Sequence, residues 1–262
     1  MVFEIGFLYI GLISIFGHFV EGCAGFGCTV IAAPVVNSIL PPSVGVPFGT
    51  LMAVPFLVIQ TLRSLREINW KDLAKILIIC LPCVFVGQFV FSIINPDIAK
   101  ICIGSAVTVI ALMKVYQNIF KPLVLKKEVD IDAETDTTAK KIFRYTCLAV
   151  GGVVQGAFNI GGPLITVYTL EAIKDKKRYR NTMLCFFMIT DLLNAFSHFR
   201  QGLWTPYLGS ALLVALPLAA IGFFAGVKFL DKINRVTFLR IVYVVLLVVG
   251  GNMLIRAILA VV

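Results

Sequence analysis

Between Glu21 and Pro34 the chain reads E-G-C-A-G-F-G-C-T-V-I-A-A-P. Glu21 offers a carboxylate that can hold a proton, and Cys23 and Cys28 offer two soft sulfur atoms. Gly22, Gly25 and Gly27 leave the backbone open to close approach by a ligand. Long apolar runs lie on either side. A glycine costs about 1 kcal/mol against alanine inside a helix, so this cluster predicts a helix that breaks at membrane depth. Backbone groups freed by such a break are tolerated only where they are buried in protein or line a wet cavity.

A second copy runs from Gln155 to Tyr168, Q-G-A-F-N-I-G-G-P-L-I-T-V-Y. Gly22 and Gly156 stand at an offset of 134 (156 − 22), and the same offset pairs Gly27 with Gly161 and Glu21 with Gln155. It also pairs Gln60 with Asn194, Arg66 with Arg200 and Trp70 with Trp204. L-P-C-V-F-V-G at 81–87 resembles L-P-L-A-A-I-G at 216–222, which sets Gly87 beside Gly222. Together these matches read as an internal duplication.

Each glycine motif can be an anion site. A helix that restarts after the break presents unpaired N–H groups and the positive end of its dipole. The candidate binding residues are Cys23, Gly25, Phe26, Gly27 and Cys28 in the first copy. Asn159, Ile160, Gly161, Gly162 and Pro163 match them in the second. Pro163 suits a first helical turn, where its missing N–H is no loss. If the tips meet on a pseudo-two-fold axis, two helix N-termini face one cavity. The bland alternative is close helix packing through small residues, and the duplication favours the site. Cys23 and Cys28 read equally well as substrate contacts, a redox pair or small packing residues. Nothing around them in sequence looks like a metal site, and no cofactor is expected.

Glu21, its counterpart Gln155, and Asp191 with Asn194 form the candidate coupling or polar pathway. Intramembrane acids are costly and mark functional positions by default. For Glu21 and Asp191 a satisfied structural network is an equal alternative. His18 and His198 read as buried or interfacial side chains.

Composition decides the class. Of 262 residues, 59% are hydrophobic and 14% charged, against about half and about a quarter in soluble domains. Ten apolar segments are expected, at roughly 3–20, 26–40, 44–62, 73–94, 98–119, 143–158, 161–173, 181–199, 206–229 and 236–260, several near the ~20 residues that cross a bilayer. The fold expected is an all-α polytopic membrane protein with an inverted repeat. Each half is a glycine-broken hairpin followed by three transmembrane helices. Residues 1–120 form the first repeat, 121–142 a cytoplasmic linker and 143–262 the inverted second repeat, together one transport domain.

The net charge of +9 does not point to nucleic acid. The basic residues sit in short connectors, and no nucleic-acid motif is present. Of 23 Lys and Arg, all but Lys100, Arg200 and Arg256 mark four connectors that the positive-inside rule places in the cytoplasm. The chain is therefore expected in the cytoplasmic membrane with both termini outside. Its seven cysteines lie in or beside apolar runs and form no extracellular framework.

The G-x-x-G-F-G-x-x-x-x-x-x-P pattern from Gly22 to Pro34, its repeat G-A-F-N-I-G-G-P-L at 156–164 and the duplicated layout resemble the sulfite exporter TauE/SafE family of membrane permeases. The resemblance covers nearly the whole chain. It implies transport of sulfite, sulfonates or another small sulfur-containing anion across the bilayer. Protons are a candidate coupling ion. Alternating access at a site between the two tips is the expected mechanism, with an anion channel or an uncoupled membrane scaffold as the alternative. An intramembrane enzyme is disfavoured, because neither G-x-S-x-G nor H-E-x-x-H occurs.

The charge placement puts Thr138 inside and Ser43 outside. With native cysteines removed, Ser43→Cys should react with an impermeant maleimide on intact cells, and Thr138→Cys should be protected. The reverse pattern would rule out this topology.

Overall fold

A computed structural model of the chain describes residues 5–90, 105, 107–113, 115, 116, 120 and 137–261. Most of the expected fifth crossing and residues 121–136 of the expected linker lie outside the described residues. Those described are helical wherever they are regular: α1 (Ile5–Ala24), α2 (Cys28–Ile39), α3 (Pro42–Arg63), α4 (Trp70–Val90), α5 (Thr138–Phe158), α6 (Gly162–Ala172), α7 (Lys176–Arg200), α8 (Pro206–Lys232) and α9 (Arg235–Val261). A single 3-10 turn (Leu65–Glu67) joins α3 to α4. Among the described residues, α1, α4, α7, α8 and α9 are long and apolar enough to cross a bilayer. The protein is an all-α polytopic membrane protein.

The two glycine motifs break the chain where expected. At 1.5 Å per residue, α2 with 12 residues and α6 with 11 reach roughly half of the ~30 Å hydrocarbon core. Helix starts depart from the expected segments in two places. α5 begins at Thr138 and α7 at Lys176, so basic residues assigned to connectors lie on first helical turns. Asp175 caps α7 by accepting from the Arg178 N–H at 2.8 Å. The Lys176 ammonium donates to the Leu230 and Ile233 carbonyls at the end of α8, a favourable place for a cation.

The chain forms two compact units. One holds 1–77 with 173–233, the other 78–172 with 234–262. In the first, α1 packs along α8, and α3 packs on α7 and α8. α1 exposes Ile5, Leu8, Tyr9, Leu12 and Phe16 along one stripe, at the spacing of a lipid-facing helix surface. From Val20 to Ala24 every residue is buried. In the second unit α5 and α6 form the broken hairpin, and Val107 packs with Val154 and Leu164.

Each broken hairpin is gripped by one long helix through the same glycine crossing. In the first unit, a Cβ on Gly226 of α8 would collide with the Phe19 carbonyl oxygen and approach the Cys23 nitrogen to 3.0 Å. In the second, a Cβ on Gly87 of α4 would collide with the Val153 carbonyl oxygen and approach the Ala157 nitrogen to 3.0 Å. Phe19 and Val153, like Cys23 and Ala157, are repeat partners at the offset of 134 (153 − 19, 157 − 23). The crossing is reciprocal: Gly22 abuts the Phe223 carbonyl and Gly156 the Val84 carbonyl. The structural partner of Gly87 is therefore Gly226, one turn beyond the Gly222 that the sequence match offered. Gly222 meets the Ile15 carbonyl in the same crossing. Each hairpin is held by a helix from the other half of the sequence. Backbones come this close only where side chains are absent.

Gly87→Ala and Gly226→Ala should each destabilise the protein by about 1–3 kcal/mol, since a carbonyl in a packed helix cannot step aside. Gly209→Ala and Gly251→Ala meet nothing within 4 Å, and should hold or raise the melting temperature. Thermal unfolding in detergent compares the four. Equal effects in all would contradict the crossing.

Candidate functional site

The first break lies at Gly25–Gly27. The last turn of α1 closes when the Gly25 N–H donates to the Glu21 carbonyl at 2.7 Å. Gly25 (φ 80°) and Gly27 (φ 112°) are both left-handed, a conformation glycine adopts without a Cβ penalty. Phe26 between them is buried. Gly27 is the N-cap of α2 and supplies no side-chain acceptor. The first-turn N–H groups of α2, at Cys28 and Thr29, are thus uncapped by side chain and able to receive an anion.

Three side chains gather on the α1 side. Cys28 Sγ donates to Glu21 Oε1 at 2.9 Å. Glu21 Oε2 lies 4.0 Å from His18 Nε2. Cys23 is buried at the end of α1 and, like Cys28, is a free thiol. Asp191 and Asn194 are buried on α7, with Asp191 within electrostatic range of Cys28.

Arg180 was not among the candidates. It stands in a basic run at the start of α7, where charge alone marks a cytoplasmic connector. The structure instead buries Tyr179, Arg180, Asn181 and Thr182. A Cβ at Gly25 would sit 3.2 Å from the Arg180 carbonyl oxygen, so α7 lies against the tip. The guanidinium donates from Nε to Asn181 Oδ1 at 3.0 Å and from Nη1 to the Val227 carbonyl at 3.3 Å. Those bonds use two of its five N–H donors. Asn181 also accepts from Gln60 Nε2 at 3.3 Å and donates to Glu67 Oε2 at 2.7 Å. The signal that was missed is positional: Arg180 leads directly into buried, uncharged Asn181 and Thr182.

The second break is closed by its own residues. Asn159 ends α5 in the left-handed region (φ 56°), where asparagine is the residue most often found after glycine. Gln155 Nε2 donates to Asn159 Oδ1 at 2.6 Å, and Gln155 Oε1 accepts from the Gly161 N–H at 2.9 Å. Leu164 and Ile165 N–H both donate to the Gly161 carbonyl at 3.1 Å. Pro163 falls in the first turn of α6 and has no N–H to offer. Gly161, Gly162 and Pro163 are buried, and Ile160 is half-buried. Glu21 and Gln155, partners by the repeat, each reach across a break to accept a hydrogen bond. Gln155 takes a backbone N–H and Glu21 a thiol.

The family model for the sulfite exporter TauE/SafE matches residues 10–253. The chain belongs to the sulfite exporter TauE/SafE family. That match spans both hairpins and both glycine crossings. Membership implies membrane transport of sulfur-containing anions, in keeping with the apolar helices. No curated protein and no solved structure matches the chain.

Proposed function

We propose that this TauE/SafE-family chain is a secondary transporter of sulfite, a sulfonate or a related small sulfur-containing anion. It works by alternating access, with the anion held at the first glycine break. Two observations carry this reading: the α2 N-terminus has no side-chain cap, and the buried Arg180 lies with its backbone against Gly25 at the first break. A helix N-terminus favours negative charge, and a guanidinium presents planar paired donors suited to oxyanions. The reciprocal packing of each hairpin on the opposite half supports an inverted repeat, the plan of many secondary transporters. The basic connectors support a cytoplasmic-membrane protein with both termini outside. Asp191 is the proposed proton carrier. An ionised carboxylate near the site repels the anion, so protonation and anion loading favour one another.

Sulfite uptake into proteoliposomes, with and without an imposed proton gradient, tests this. Uptake should saturate with sulfite and rise with the gradient, and Arg180→Gln should abolish it at equal reconstitution. Unsaturable, gradient-independent flux would make the protein a channel. Unchanged uptake by Arg180→Gln would remove the arginine from the site.

A further inference from the structure

The first break carries an arrangement that anion transport does not use. His18 and Glu21 stand one turn apart on the same face of α1, and Cys28 opens α2. Each is at most 4% exposed. One ligand atom from each lies within 4.8 Å of the others. His18 Nδ1 is paired with the Ser14 carbonyl at 2.9 Å, which fixes the proton there and leaves the Nε2 lone pair toward Glu21. His18 Nε2 and Glu21 Oε2 are 4.0 Å apart, too far for a hydrogen bond. Neither has any hydrogen-bond partner. Two buried acceptors that face each other without a donor between them are costly, and a bound cation removes that cost.

We propose that His18, Glu21 and Cys28 bind one zinc-class transition-metal ion. An imidazole, a carboxylate and a thiolate form a borderline-to-soft donor set that selects zinc over magnesium or calcium. A tetrahedral zinc keeps its ligand atoms roughly 3.3–3.6 Å apart, so the widest of these separations closes by at most about 1 Å on binding. Cys28 loses its thiol proton to solvent as the metal–sulfur bond forms. The two anionic ligands balance the dication, and the fourth position is left to water. The ion ties the end of α1 to the start of α2 across the break. In the second copy the matching positions are Gly152, Gln155 and Gly162, where the Gln155 hydrogen bonds make the same closure. One ion per chain is expected.

The test is titration of the purified, metal-stripped full chain with Co²⁺. A 1:1 endpoint with a thiolate-to-cobalt charge-transfer band is expected, displaced by Zn²⁺, lost in Cys28→Ser and kept in Cys23→Ser. Zinc K-edge absorption on the wild-type protein should show one sulfur ligand, and that readout needs no variant to fold. No band in the wild type, a band that survives Cys28→Ser, or a zinc shell without sulfur would overturn the proposal.

Discussion

A helix that stops inside a bilayer must find partners for its freed backbone groups within the protein, and this structure is built on that constraint. No water and no lipid headgroup is at hand to satisfy them. Both broken hairpins are accordingly buried around their tips. α1 loses its lipid-facing stripe before it reaches the break, and α6 is buried from Gly162 to Leu170. The burial needs a covering helix at close range. That explains why α8 and α4 meet the hairpins through glycine, with carbonyl oxygens where a Cβ would be.

The two breaks meet the same constraint differently, and the difference bears on function. The second is closed locally. Gln155, Asn159 and the Gly161 carbonyl take up the nearby polar groups, and Pro163 removes one donor from the count. The first leaves the opening turn of α2 without a side-chain cap, places a buried guanidinium on the neighbouring helix, and brings a carboxylate, a thiol and an imidazole together. The two breaks share a sequence frame, and His18, Glu21 and Cys28 stand at the first where Gly152, Gln155 and Gly162 stand at the second.

Much of this was legible in the sequence. Composition and run length were enough for the membrane class, and the offset of 134 was enough for the two breaks and their glycines. Pro163 fell in a first turn, as its chemistry requires. What could not be read depends on packing between distant segments. Gly87 was paired with Gly222 by local likeness, whereas the close carbonyl contacts pair it with Gly226. Arg180 was read as a connector charge because sequence shows a basic run and not the burial of its neighbours. His18 read as a bland core residue, since only the fold brings Cys28 back against α1.

The most direct measurement is of the backbone donors themselves. In ¹⁵N-labelled protein reconstituted in lipid, saturating sulfite should shift the amide resonances of Cys28 and Thr29 while leaving those of Val84 and Gly87, in the second unit's own crossing, in place. Binding with no change at Cys28 and Thr29 would contradict an anion site at the first break and leave its glycines a packing device alone.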